Sequence, residues 1–156
     1  MGDRCYMQVT CRRKDLEEFE SLDFTMQDWN NEAPNSPTVV MVDEEANHGH
    51  CDEMPTNIPY HGDNGHGDNY GDSAFACDGK RYAEAPTGYD GGFVVQWDEI
   101  KERPTPQSIR AIRRYIAVRK KVERLFKKLS TSATSNQRKE TSDGTDHSLL
   151  TQGEGP

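Results

Sequence analysis

The segment from residue 105 to residue 129 constrains the fold of this chain more than any other, because its apolar residues recur at helical spacing. Intervals of three and four residues place these side chains on one face of an amphipathic α-helix. Thr105 is a suitable N-cap, and Pro106 suits the first helical position, where a missing N–H leaves no hydrogen bond unmade. We therefore predict a long helix over 105–129. Its apolar stripe comprises Ala111, Tyr115, Val118, Val122, Leu125 and Leu129.

The same segment is strongly basic, whereas the rest of the chain is acidic. Nine Lys or Arg side chains lie between Arg110 and Lys128, against the single acid Glu123. The whole chain has 19 basic and 27 acidic residues, so leaving out these nine and this one changes the net charge from −8 to −16. The candidate contact residues on the basic side of the helix are Arg113, Arg114, Arg119, Lys120, Lys121 and Arg124.

Three uses of this basic helix are open. The charges can solvate the outer face of a helix packed on an acidic body, which is the usual role of a charge run. They can also bind a phosphate backbone or an acidic partner protein. Binding to a membrane surface is disfavoured, because the helix has no Trp and no lipidation motif accompanies it. We therefore expect no membrane partner.

Composition bounds the size of the core. Only 32% of the 156 residues are apolar, which suits one domain with a small core. No apolar run approaches the roughly 20 residues of a membrane span, and the first residues lack the apolar segment of a signal peptide. We expect a soluble protein that stays in the compartment where it is made. In that compartment Cys5, Cys11, Cys51 and Cys77 are expected to be free thiols.

Alternation and β-favouring residues predict strands before the long helix. Residues 5–11 alternate between two faces, 39–42 form a compact β-favouring run, and 93–97 form a last strand. Residues 16–22 carry apolar side chains on one face and acids early, as in a short helix. Residues 25–37 are interpreted as a connection with room for one short strand.

A hairpin completes the predicted sheet. Residues 74–77 and 80–84 flank Asp78-Gly79, a dipeptide typical of a type I′ turn. With the hairpin counted as one unit, the order is β-α-β-β-β-α, which predicts an α+β fold whose small antiparallel sheet is covered by the long amphipathic helix. We predict a single domain over 1–129. The Ser, Thr and Gly content of 130–156 predicts a disordered tail.

A near-repeat of five residues occupies 61–65 and 66–70, where Gly, Asp and Asn accompany a His at the start of each copy. Asp and Asn oxygens suit Ca²⁺, and His61 and His66 suit Zn²⁺. The spacing is not that of an EF-hand, and two copies are too few for a calcium-binding β-roll. A flexible surface loop over 61–72 is the favoured interpretation, and a metal site is the alternative.

A second metal candidate is the run from His48 to Asp52, in which His50 and Cys51 add an imidazole and a thiol. A Zn²⁺ site there needs further ligands from another segment, and Cys77, His61 and His66 are the available ones. Neither a Cys-x-x-Cys pair nor a His-Glu-x-x-His motif supports this Zn²⁺ site. The sequence also contains no phosphate-binding loop. We assign no catalytic residue, name no required cofactor and do not expect an enzyme.

Four short segments resemble small accessory proteins of bacteriophages and mobile elements. They are 1–5, the turn at 43–47, the hairpin at 76–80 and the helical stretch 112–116. The resemblance spans 1–129 and includes no motif tied to a reaction, so no functional residue is carried over. The resemblance implies an intracellular setting, the cytoplasm of a bacterial host cell, and a role directed at a host defence or regulatory system.

These observations lead to one favoured function and two alternatives. Because residues 1–100 carry six basic and 21 acidic side chains, we predict a non-enzymatic acidic protein that contacts a host nucleic-acid-handling or defence protein through charge. The first alternative is nucleic-acid binding through the basic helix over 109–128, and the second is metal binding in the 48–72 region. A homodimer through the stripe over 111–129 is a separate prediction, with core burial as the other use of that stripe.

Overall fold

A computed structural model of the chain describes residues 4–27, 33–47, 53–65, 72–88 and 91–143. The strands in these ranges are β1 Arg4–Arg12, β2 Thr25–Met26, β3 Thr38–Asn47, β4 Pro59–Gly65, β5 Asp72–Asp78, β6 Tyr82–Thr87, β7 Trp97–Asp98 and β8 Arg103–Pro104. The helices are α1 Leu16–Glu20, which follows a 3-10 turn at Arg13–Asp15, and α2 Pro106–Asp143.

Six strands form one antiparallel sheet in the order β2-β3-β1-β4-β5-β6, and β7 pairs with β8 in a separate ribbon. Helix α2 lies across β4, β5 and β6. The predicted α+β class, with an antiparallel sheet covered by the long C-terminal helix, is therefore confirmed. The connection predicted over 25–37 contains one short strand, β2.

The two faces of the sheet build two separate cores, because successive strand residues point to opposite sides. On one face Val9, Tyr60 and Phe75 pack with Phe19 of α1 in a large aromatic and aliphatic cluster. Edge-on contacts join the Phe19 ring to the Tyr60 ring, with centroids 5.4 Å apart, and to the Phe24 ring at 5.8 Å. Helix α1 therefore covers the face that α2 does not.

The other face carries small residues where α2 packs. Ala76, Ala83 and Ala85 are buried there with Tyr115 and Val118 of the helix. Side chains of this size let a helix backbone lie close to the strands beneath it, so the contact is tight without bulky residues from the sheet. The apolar stripe predicted for α2 is thus used as core, the second of the two uses considered for it.

Helix α2 begins where it was predicted to begin but ends later than predicted. The Ser108 amide donates to Thr105 Oγ1 at 3.3 Å, so Thr105 is the predicted N-cap, and Pro106 is the first helical residue. The helix does not end near residue 129, however, and 130–143 are helical where we predicted a disordered tail. No Gly or Pro interrupts this stretch, and its Ser and Thr hydroxyls donate to carbonyls four residues earlier, as Thr131 does to Lys127.

The prediction of a flexible loop over 61–72 is wrong where the structure describes it. Residues 61–65 belong to β4, which lies between β1 and β5, and residue 72 begins β5. Gly62 is required at this position, because a Cβ atom there would lie 2.0 Å from the carbonyl oxygen of Gln8 on β1. The second copy of the near-repeat, 66–70, lies outside the described residues.

The hairpin prediction is confirmed, since β5 pairs with β6 across the Asp78-Gly79 dipeptide. The turn differs from type I′, because of its residues only Gly79 has a positive φ, +88°. The Asp78 amide donates to the Arg81 carbonyl at 3.1 Å, and Asp78 Oδ1 accepts from the Lys80 and Arg81 amides. The two hydrogen bonds to the Asp78 carboxylate therefore stabilise a turn that has one positive φ instead of the two of type I′.

The last predicted strand, 93–97, is not part of the main sheet. Phe93 makes an isolated bridge to Thr87, and only Trp97 enters the β7–β8 ribbon. The large apolar side chains of this segment remain exposed among the residues that the structure describes.

Candidate contact surfaces

The outer side of α2 carries most of its positive charge. At 100° per residue, Arg113, Lys120 and Arg124 point almost directly away from the buried side chains Tyr115 and Val122. All three are exposed. The candidate contact residues therefore occupy the surface that a ligand would meet, with the exception of the half-buried Arg119.

Two of the nine cations on 106–129 are already paired. Arg119 Nε lies 2.8 Å from Glu123 Oε1, and Lys121 Nζ lies 3.2 Å from Asp78 Oδ2. The other seven are exposed, and no carboxylate whose side chain the structure describes lies within ion-pair distance of them. We call these seven the basic ridge. It comprises Arg110, Arg113, Arg114, Lys120, Arg124, Lys127 and Lys128.

The basic ridge spans 18 helical steps, or about 27 Å. Exposed acids of α1, Glu17, Glu18 and Glu20, lie on the opposite side of the sheet. One sheet and two helix layers put more than about 20 Å between the two outer surfaces, well beyond the screening length of about 8 Å at physiological salt. The acids of α1 therefore do not cancel the potential at the ridge.

A run of large apolar side chains is exposed immediately before α2. Ile100 is 95% exposed and Trp97 is 57% exposed, which is unusual for residues of this size. We call the run the apolar surface. It comprises Phe93, Val94, Val95, Trp97 and Ile100.

Hydrogen bonds hold the apolar surface against α2. The Gln96 amide donates to Ser108 Oγ at 3.0 Å, and the Thr105 amide donates to the Gln96 carbonyl at 2.8 Å. The Phe93 ring meets the Tyr115 ring edge-on, with centroids 5.7 Å apart. The segment therefore has a defined conformation despite its exposure. The exposure of this segment was not predicted, although the nearby Asp98 and Glu99 and the preceding Gly91-Gly92 are atypical of a buried strand.

His61 is the one proposed metal ligand within the described residues. Its ring packs on Phe126 of α2, with centroids 5.6 Å apart. Burial, with a further contribution from the Arg119 charge and against that of Glu123, lowers the pKa of His61 to about 4. His61 is therefore a neutral residue between the sheet and α2. In the described ranges no three His, Cys, Asp or Glu side chains converge as a metal site would require, and His48, His50, Cys51 and His66 lie outside them.

Cys11 and Cys77 are the cysteines whose side chains the structure describes, and both are free and buried in the core beneath α1. Burial raises the pKa of the Cys11 thiol to about 12, and burial likewise raises the pKa of the Cys77 thiol. A thiol held in its neutral form is a poor nucleophile. Neither residue is placed to perform covalent chemistry.

An open groove of about 400 Å³ lies between residues 33–37 and the last part of α2, near Ser130 and Gln137. No charged side chain lines it. Its Pro, Ala, Ser and Thr content offers neither an acid–base pair nor a phosphate cradle.

Comparison with protein-family models, with curated proteins and with solved structures finds no match to this chain. The resemblance to accessory proteins of bacteriophages and mobile elements stays a prediction. Within the described ranges, neither helix is both long and apolar enough to cross a membrane.

Proposed function

We propose that this protein binds nucleic acid through the basic ridge of α2, contacting phosphate groups rather than bases. The observation that carries the proposal is the concentration of seven exposed cations, without a described carboxylate partner, along about 27 Å of one helix. The helix packs by its apolar side on the sheet, so the backbone positions that carry these charges are fixed relative to one another. Phosphate contacts of this kind supply sequence-independent affinity.

Base recognition is not part of the proposal. The two aromatic residues of α2, Tyr115 and Phe126, are buried against the sheet and are not available for stacking. The ridge itself holds Arg and Lys with the exposed Ala117 among them. We therefore expect similar affinity for different sequences of the same length and a strong dependence on salt.

The salt dependence gives a quantitative test. Each phosphate contact contributes roughly −0.9 to the slope of log K against log salt on duplex DNA, so seven contacts set a limit of about −6. Replacing Arg113, Lys120 and Arg124 by Ala should reduce the magnitude of the slope by about 3 and weaken binding on the order of 10²-fold. Fluorescence anisotropy of a labelled duplex, titrated between about 50 and 200 mM salt, measures both quantities.

A matched control replaces Lys14, Lys80 and Lys101 by Ala. These residues are exposed and lie outside α2, and the net charge changes by the same amount as in the ridge variant. The proposal requires the control to bind nearly as the unaltered protein does. Equal losses in the two variants would indicate a response to net charge alone, and no binding at micromolar protein and low salt would reject the function.

The acidic contact protein is the second candidate function. Its support is the separate acidic surface on α1, where Glu17, Glu18 and Glu20 are exposed on the far side of the sheet from the ridge. Such a surface suits a basic host protein that handles nucleic acid. Replacing the three Glu by Gln should abolish salt-sensitive capture of that partner and leave nucleic-acid binding intact, whereas unchanged capture would reject this candidate.

A further inference from the structure

We propose that the apolar surface is the interface between two copies of this chain. Its five side chains expose roughly 500 Å² of mostly apolar area, near the upper end for the largest patch on a monomer. Two such surfaces brought together bury about 1,000 Å² in total, which is the lower limit for a specific interface. The expected product is a weak dimer with a dissociation constant of about micromolar.

The charges around the apolar surface favour a second copy over other occupants. The ribbon that presents Trp97 and Ile100 also exposes Glu99 and Glu102, while the adjoining turns of α2 expose Arg110 and Arg114. In a two-fold symmetric interface the same surface of both protomers is used in opposite directions, so the acids of one protomer lie opposite the cations of the other. The same carboxylates oppose insertion into an anionic membrane and stacking against a nucleic acid.

The conformation of the segment is already ordered in the single chain. The Lys101 amide donates to Asp98 Oδ1 at 3.1 Å, and Glu102 takes a positive φ of +50° to close the ribbon. Together with the hydrogen bonds to Ser108 and Thr105, these interactions fix the backbone that carries the apolar side chains before association. Association therefore loses little backbone conformational entropy at the interface.

This interface shares two cations, Arg110 and Arg114, with the basic ridge. Lys120, Arg124, Lys127 and Lys128 lie farther along the helix and remain exposed in the dimer, so nucleic-acid binding by the ridge does not require association. It also differs from the dimer predicted from the stripe over 111–129, because Tyr115 and Val118 are buried against the sheet.

Sedimentation equilibrium of the full chain, in the absence of nucleic acid, tests the proposal. The mass should rise with protein concentration from one copy towards two. The variant Ile100→Glu should weaken association at least tenfold, because it places a charge in the apolar contact, and its exposed position leaves the fold unchanged by circular dichroism. The control Ala117→Glu adds the same charge at an exposed site on the outer side of α2 and should associate as the unaltered chain does.

Two results would overturn the proposal. One is a single-copy mass at every concentration, and the other is association that Ile100→Glu does not change. If the chain stays monomeric and the fluorescence of Trp97, read in a Trp29→Phe background, responds to single-stranded oligonucleotide or to anionic vesicles, the surface belongs to that ligand instead. Because the measurement uses protein alone, its failure leaves nucleic-acid binding by the ridge untouched.

Discussion

His61 should make the stability of this protein depend on pH between about 4 and 6.5. The imidazole lies between the sheet and α2, against Phe126, and burial lowers its pKa from 6.5 to about 4 in the folded chain. In the unfolded chain the ring is hydrated and titrates near 6.5. As pH falls below 6.5, the unfolded chain therefore binds a proton that the folded chain does not, and unfolding becomes more favourable.

The size of the effect follows from the two pKa values. Each pKa unit corresponds to 1.36 kcal/mol, so a difference of roughly 2.5 units sets a ceiling of about 3 kcal/mol. The contribution is fully present above pH 6.5 and is lost as pH falls through the window to about 4. A loss of this size is a large part of the stability of a small domain.

Urea denaturation of the unaltered protein and of His61→Gln, followed by circular dichroism at several pH values, isolates this residue. Other titrating groups contribute equally to both proteins and cancel in the difference between them. The difference in free energy of unfolding should move by about 3 kcal/mol in favour of the variant between pH 7 and pH 4. Parallel curves over this range would refute the placement of a neutral imidazole beneath α2.

Two further predictions follow from the packing of the sheet. Gly62→Ala should destabilise the fold by about 3 kcal/mol or more, because the added methyl group would overlap the Gln8 carbonyl on β1. The control Gly91→Ala places a methyl group with nothing within 4 Å and should cost about 1 kcal/mol through the positive φ of that residue. Equal losses of stability in thermal denaturation would contradict this prediction. In a Cys5→Ser, Cys51→Ser background, Cys11 and Cys77 should react with a thiol reagent only at the rate of unfolding, because both thiols are buried and burial raises both pKa values. Fast labelling of the folded protein would contradict this prediction and would show that the core opens.

The long helix could be predicted because its information is local. Spacing in Tyr115, Val118 and Val122 defines the buried side, and the Thr105-Pro106 start is an N-terminal signal that depends only on neighbouring backbone groups. Its end was predicted too early, because the apolar pattern stops at Leu129 while the backbone continues to Asp143. Helical hydrogen bonds do not need an apolar face once the first turns are fixed.

The strand β4 could not be predicted, because its residues are typical of loops. Gly62 and Asp63 disfavour strands as isolated residues, and only the neighbouring β1 and β5 supply the hydrogen bonds that make the segment extended. The absence of a Cβ at Gly62 is an advantage only when the Gln8 carbonyl lies against it. That contact joins residues more than fifty positions apart.

The amino-acid sequence by itself determined the α+β class, the amphipathic helix, the β5–β6 hairpin and the separation of basic from acidic charge, since each depends on spacing or composition within a short segment. The tertiary structure alone decided that α1 and α2 cover opposite faces, that seven cations of α2 are left without described partners and that the apolar surface is exposed. Exposure and ion pairing depend on which distant segments lie alongside, and no local pattern contains that information.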